Sequence, residues 1–354
     1  MINNRIGYIP ALDGFRAIAI ILVMLAHANF QLGSNGILGV DLFFALSGFL
    51  ITTLLLEENE VYGKISLTGF YIRRTFRLFP ALYLMLVAIL LYALVFTVSL
   101  FDKLTIFNEI KAAGLYVYNI SWAWGWGTEG MLLGHTWSLA VEEQFYLIWP
   151  IILITVLKFK KLKVFCFALM AFILIVFLLK ITGQVNAIGN ALIHESIFIG
   201  CLAAIVRWLK IFKMNVHAYI SILLVLIIAF IGIFPASWYM ELFKHGGRSL
   251  IALVTVIIIL DLVKNPSSLL SKVLSHSVLV YVGKISYALY LWHVPIFRWF
   301  KWHSSLLPWQ SFALKIIITF IIAAASFAII ENRSTKFGRR LSKKFISKNN
   351  TLEV

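Results

Sequence analysis

Apolar residues run along this chain in blocks of about twenty, separated by short polar stretches. That spacing predicts helices that cross a membrane, since a span needs ~20 apolar residues at ~1.5 Å of rise each. Ten stretches fit: Ile9–Phe30, Leu38–Leu56, Leu78–Leu100, Trp137–Leu157, Val164–Lys180, Asn190–Leu209, His217–Phe234, Ser249–Val263, Val278–Phe300 and Gln310–Ile330. A further apolar piece, Ile110–Ile120, is too short to cross and reads as an interfacial or re-entrant helix. The pattern predicts an all-α membrane protein, a single polytopic bundle of about ten transmembrane helices. Residues 1–335 form the bundle and residues 336–354 a basic tail.

Composition points the same way. The chain is 61% hydrophobic and only 13% charged, with a mean hydropathy of +0.93. Soluble domains are about half apolar and about a quarter charged. A net charge of +16 raises the question of nucleic acid. Its distribution argues against that partner, because most of the 31 Lys and Arg residues lie in alternate connections between spans. These are the segments around Lys64–Arg77, Lys158–Lys163, Arg207–Lys213, Lys264–Lys284 and Arg333–Lys348. Basic connections stay on the cytoplasmic side, so both termini are expected in the cytoplasm and the protein in the cytoplasmic (inner) membrane. Cys166 and Cys201 both fall in apolar spans and read as packing residues; no metal set is expected. Ala26-His27-Ala28 after the run Ala17–Leu25 imitates a signal-peptide cleavage site, but Asp13 and Arg16 beside that run fit a leader poorly.

Charged residues inside the first span supply the first candidate chemistry. At ~100° per residue, Arg16 and His27 lie within ~20° of each other on one face, with Asp13 ~40° from His27. They are ~16 Å apart along the axis, about half the hydrocarbon thickness. Charge at that depth costs at least ~2.5 kcal/mol and normally faces a polar cavity, although an Asp13–Arg16 ion pair that only packs helices would account for part of it. At the start of the third span, Arg73 and Arg77 share a helix face and Arg74 and Arg77 nearly do, and guanidinium forks bind phosphates bidentately. An ordinary positive-inside stop would also place charge there. In the segment from Gly134 to Tyr146, Glu142 and Glu143 fall ~8–9 Å below the outer end of their span, a depth at which either could meet His27 and orient its imidazole. A structural carboxylate at a helix start is the plainer alternative. Asp41, with Ala45 and Gly48 beyond it, suits close helix packing or an orienting role. Glu195, preceded by His194, opens the sixth span and could line an acceptor cleft; His293 sits before the kinking Pro295. Trp122, Trp124 and Trp126 read as an interfacial belt first and a sugar-stacking surface second.

Five ordered motifs give a resemblance: LDGFRA with His27, GVDLFFALSGFLIT, FYIRRTFRLFPAL, HTWSLAVEEQFYLIWP and GKISYALYLWHVPIF. Together, from about Tyr8 to Glu331, they resemble the acyltransferase 3 family of membrane O-acyltransferases. The resemblance implies ten spans, a cytoplasmic acyl-CoA donor, with acetyl the commonest group, and an extracytoplasmic glycan or glycolipid acceptor. The family's Arg-x10-His pair falls on Arg16 and His27, and its Arg-x-x-Arg pair on Arg74 and Arg77. Its usual closing Glu-x-Pro is here Glu331-Asn332-Arg333, without the proline. The implied reaction makes His27 the general base, with Glu142 and Arg16 beside it as catalytic residues. Arg73, Arg74, Arg77 and Arg16 would hold acyl-CoA as co-substrate, with no tightly bound cofactor. Asp41, Glu143, His293 and Glu195 would bind the acceptor, and membrane lipids are the remaining partners. The rival reading is a proton-coupled transporter or permease, since intramembrane Asp, Arg, His and Glu also build proton relays.

Overall fold

Helices in this chain stop where a cap stops them, and overrun the apolar blocks where polar helix formers continue the pattern. The computed structural model describes residues 5–28, 38–97, 99–126, 130, 132–185, 189, 193–211, 218–233, 246–303 and 306–348. Among them every regular element is helical. The order is α1 (Pro10–His27), α2 (Leu38–Tyr62), α3 (Leu67–Phe96), α4 (Leu100–Gly114), α5 (Tyr118–Ala123), α6 (Trp137–Lys158) and α7 (Leu162–Ile181). Then come α8 (Glu195–Leu209), α9 (Ala218–Ile233), α10 (Arg248–Lys264), α11 (Leu269–Leu274), α12 (Ser277–Lys284), α13 (Ser286–His303), α14 (Pro308–Ser326) and α15 (Asn332–Lys348). A 3-10 turn, Gly134–Thr136, leads into α6, and a π turn, Phe327–Glu331, joins α14 to α15.

Six of the described helices are long and apolar enough to cross a membrane: Pro10–His27, Leu38–Tyr62, Leu67–Phe96, Gly134–Lys158, Leu162–Ile181 and Pro308–Phe345. Each matches one of the ten expected spans. Of the other four, three are helices of 15 to 17 residues, α8, α9 and α10. At ~1.5 Å per residue they reach only ~25 Å. The fourth, Val278–Phe300, is divided at Ile285 into α12 and α13. The short piece Ile110–Ile120 is likewise split, between the end of α4 and the start of α5. Tyr116, with φ +53°, makes that break; a left-handed conformation is costly for a residue with a Cβ. α3 starts well before the apolar run at Leu78, because the Ser66 hydroxyl accepts from the Gly69 N–H (3.1 Å) and caps the helix there. Phe30 and the other ends of expected spans at Asn190, His217 and Phe234 lie outside the described residues.

The chain divides into two compact units. One holds Met1–Gly63 with Ile152–Ser286, the other Lys64–Ile151 with Tyr287–Val354. In the first unit α2 and α8 approach through reciprocal glycines. A Cβ on Gly48 would sit 2.0 Å from the Ile197 carbonyl oxygen, and one on Gly200 2.0 Å from that of Ala45. The close packing expected at Ala45 and Gly48 is therefore present. Dispersion between backbones brought this close is what drives association where lipid removes the hydrophobic gain. α1 is gripped in the same way, by Gly39 on Ala19, by its own Gly14 on Leu274 and by Gly283 on Asp13. Around these contacts Phe15, Leu42, Leu46, Phe49, Ile258, Ile259 and Leu262 form the core.

In the second unit α3 carries α4, α6 and α15. The Tyr83 hydroxyl donates to the Gly114 carbonyl (3.0 Å), and that of Tyr71 to the Leu147 carbonyl (2.8 Å). Phe76 packs on Phe337 of α15, with ring centres 5.1 Å apart. Residues 336–348, expected as part of the tail, thus belong to a helix docked along α3. Residues 349–354 lie outside the described set.

Candidate functional site

In the first unit the sequence places Arg16 and Asp13 one turn apart, and the fold pairs them. Arg16 Nη1 lies 3.3 Å from Asp13 Oδ1, and the Tyr8 hydroxyl donates to Asp13 Oδ2 at 2.8 Å. Partial desolvation and this bond to Asp13 push the Tyr8 hydroxyl up to about 12, so it remains a donor at physiological pH. His27, the last residue of α1, is exposed. Its Nδ1 lies 2.9 Å from the Val23 carbonyl, an acceptor only, so Nδ1 carries a proton and the basic nitrogen of the neutral ring is Nε2. Arg16 and His27 therefore share a helix whose backbone fixes the imidazole tautomer.

Asp41 and Glu195, expected at an acceptor site, lie in one buried polar cluster. Asp41 Oδ1 accepts from Ser196 Oγ (2.8 Å), and Oδ2 lies 3.5 Å from Arg248 Nε. Glu195 pairs with Lys180 through Oε2, and Oε1 accepts from Ser249 Oγ (3.0 Å). His194 joins through Nδ1, 3.4 Å from Arg248 Nη1, and its ring stands edge-on to Phe44. Both carboxylates are about 1% exposed. Buried charges persist only when paired and hydrogen-bonded, and these are. The sequence did not single out Lys180 or Arg248. The available signal was a cation at the end of an apolar run, read there only as an orientation marker.

In the second unit the arginines and the two glutamates belong together. Arg74 lies over the Tyr146 ring, its guanidinium carbon 4.4 Å from the centroid, with the Phe70 ring at 5.8 Å. Glu143 and Glu142 act on it electrostatically, and so does Arg77. Arg73, Arg77, Glu142 and Glu143 are all half-buried. The sequence reading set these arginines at the inner mouth and the glutamates near the outer end, roughly a membrane apart. The difference has a geometric cause. α3 begins at Leu67 rather than at the apolar run from Leu78, and its first turns lie beside the middle of α6, where Tyr71 bonds the Leu147 carbonyl and Arg74 covers the Tyr146 ring. His27 lies in the other unit.

Gln144 of the same motif clamps the α4–α5 break. Its Nε2 donates to the Tyr116 carbonyl and to Asn119 Oδ1, both at 2.9 Å, while Asn119 Nδ2 donates back to Gln144 Oε1 (3.1 Å). Glu109, fully buried, accepts from the Leu132 and Leu133 N–H groups (2.9 Å each) and from the Tyr118 hydroxyl (3.1 Å). Burial and the neighbouring Glu109 carboxylate push that hydroxyl's pKa up. Glu109 was missed because a lone acid in a short helix has no spacing signature. His293, expected to bind substrate, is fully buried. Its Nδ1 lies 2.7 Å from the Tyr290 carbonyl, and its ring meets His135 edge-on at 5.1 Å. Tyr290 in turn bonds Ser138 Oγ (2.5 Å) and the His135 carbonyl (2.9 Å). Beside it, an apolar cavity of about 370 Å3 is bounded by Ile89, Tyr92, Trp292, Trp299 and Ile322 among others. With no charged residue in its wall, it cannot hold phosphates. Trp124 and Trp126 stack on each other at 5.4 Å and stay exposed. Glu331 closes the π turn and is buried. Among the described residues no three His, Cys, Asp or Glu side chains gather where a metal could sit.

Residues 9–330 match the family model described as an acyltransferase domain, and the chain belongs to that family. It is a multi-pass integral membrane protein, helical in every regular element among the described residues. It is 33% identical to the peptidoglycan O-acetyltransferase OatA of Listeria monocytogenes, across 94% of this chain and 56% of that protein. It is also 33% identical to the O-acetyltransferase OatA of Staphylococcus aureus, across 94% of this chain and 58% of that protein. The chain thus spans less than two thirds of these curated relatives. No solved structure matches it significantly.

Proposed function

We propose that the protein moves an acyl group, acetyl in the first instance, from cytoplasmic acyl-CoA to a hydroxyl of an extracytoplasmic glycan. The observation that carries this reading is the family match across residues 9–330, joined to relatives whose named activity is O-acetylation. The arginine group adds the chemistry of a donor site: Arg74 held over the Tyr146 ring, with Arg73 and Arg77 near it in sequence, presents forks suited to CoA phosphates. Arg16, paired to Asp13, is a further donor-binding residue in this reading. His27 Nε2 takes the proton from the attacking hydroxyl. The hydroxyl oxygen then forms a bond to the thioester carbonyl carbon, the carbon–sulfur bond breaks, and the CoA thiolate leaves and takes up a proton. Glu142 and Glu143 balance the arginine charge in this scheme. Asp41, Glu195 and His293 hold the walls of the acceptor path rather than touching the acceptor, as their burial suggests. The protein works in the cytoplasmic membrane with its termini inside.

The test is acyl transfer by the purified full chain from radiolabelled acetyl-CoA to a glycan acceptor. His27→Ala is expected to lose ~10²- to 10⁴-fold in rate, the usual worth of a general base, with its melting temperature unchanged. A His27→Ala rate within a few-fold of wild type would falsify the base assignment. No CoA release by the wild-type protein with any glycan would remove the acyltransferase reading.

A further inference from the structure

Helix α15 carries more charge than docking on α3 requires. Between Asn332 and Lys348 it has seven basic residues and no acidic one. Arg333, Lys336, Arg339, Arg340, Lys343 and Lys344 are all exposed. On a helical wheel the cations fill about half the circumference, and Phe337, Leu341 and Phe345 form an ~80° apolar arc beside them. Gly338 and Ser342 face α3, and a Cβ on Gly338 would come 2.5 Å from the Phe76 Cβ. That contact uses only part of the apolar side. Phe337 remains 55% exposed and Phe345 39%. Water alone is a poor neighbour for such residues, and a cation-only face with exposed aromatics beside it is the composition of an interfacial helix.

The level of the helix is also fixed. α14, the π turn and α15 run on as one helix, and its span candidate covers 38 residues, Pro308–Phe345. By its rise that is ~57 Å, against ~30 Å for the hydrocarbon core, so the basic part emerges at one surface. The Phe76–Phe337 contact holds it beside the α3 turns that carry Arg73 and Arg77.

We infer that α15 is a binding surface for anionic phospholipid headgroups of the leaflet it emerges from, with its arginines and lysines drawn to the phosphates. Each basic residue near an anionic surface is worth roughly fivefold in affinity. Four charges removed together therefore change a preference by far more than the scatter of a binding experiment. This inference does not depend on the acyltransferase reading.

The experiment uses the full chain in detergent, exposed to an equimolar mixture of dioleoyl-phosphatidylglycerol and dioleoyl-phosphatidylcholine, with bound lipid counted by native mass spectrometry. Wild type is expected to retain phosphatidylglycerol at least tenfold over phosphatidylcholine. The variant Arg339→Gln, Arg340→Gln, Lys343→Gln, Lys344→Gln is expected to fall to near parity. Replacing both arginines by lysine should keep the preference, because headgroup attraction here is mostly charge. If the glutamine variant does not fold, the wild-type preference measured at rising salt replaces it, and it should decline steadily. Equal retention of the two lipids by wild type overturns the proposal and leaves the charge as a topology marker. A preference unchanged in the folded glutamine variant, or insensitive to salt, overturns it as well. Displacement of the phosphatidylglycerol by added CoA also overturns it, assigning the cations to the donor site.

Discussion

Arg74 shows how much one side chain's neighbours decide. A guanidinium held 4.4 Å above the Tyr146 ring has lost much of its rotamer freedom before any ligand arrives. An arginine fixed in this way presents its fork at little further entropic cost, which a lysine cannot do. Arg74→Ala is therefore expected to weaken CoA binding roughly 10- to 150-fold, the worth of a charge-assisted hydrogen bond to phosphate. Arg74→Lys should recover only part of that. Tyr146→Leu, which keeps the arginine and removes its platform, should cost a few-fold. Calorimetric titration with CoA on the purified variants measures all three. Unchanged CoA affinity in Arg74→Ala, with transfer lost, would assign the arginine to folding. The sequence made this residue a candidate, because Arg74 and Arg77 nearly share a face. It could not supply Tyr146, since periodicity tells which face a residue occupies and not which helix lies opposite. The same limit hid Lys180 and Arg248, whose partners Glu195 and Asp41 lie on other helices.

Among the elements, the pairing of α2 with α8 has the least room for change. At Gly48 a Cβ would meet a backbone oxygen, which no rotamer change can move aside. Gly48→Ala gains up to ~1 kcal/mol of helix propensity, but forcing the helices apart costs ~1–3 kcal/mol. The clash should win, lowering the melting temperature of the detergent-solubilised protein. Gly7→Ala is the control: nothing lies within 4 Å of a Cβ there, and the change should stay within about 0.5 kcal/mol. A Gly48→Ala protein as stable as the Gly7→Ala protein would mean that the two helices separate freely. Long apolar runs and small residues made these helices readable from the sequence. The division at Ile285, the left-handed Tyr116 and the docking of α15 were not readable. The last two go with distant contacts, the bond from Gln144 to the Tyr116 carbonyl and the packing of Phe337 on Phe76.

At the scale of the whole molecule, the distribution of charge makes a claim that packing does not: which side faces the cytoplasm. Lys64 and the basic α15 belong to segments the positive-inside rule holds inside, and Arg73 to Arg77 lie in the first turns of α3 that follow Lys64. The exposed tryptophans after α5 belong to a connection with few basic residues, which the rule leaves outside. Trp126, exposed in that connection, is the position to label. Cys166 and Cys201 are both buried, so the native chain offers little background to a thiol reagent. With Lys64→Cys, a membrane-impermeant maleimide should label only after the cytoplasmic side is opened. With Trp126→Cys, it should label intact cells at once. The orientation matters to the chemistry, because acyl-CoA is made and kept in the cytoplasm while the proposed acceptor lies outside. The acyl group must then cross the bundle during each turnover. Labelling of Lys64→Cys from outside, with Trp126→Cys protected, would reverse the bundle. CoA would then have no access to the Arg73–Arg77 face, and the donor site would have to be sought on the opposite surface.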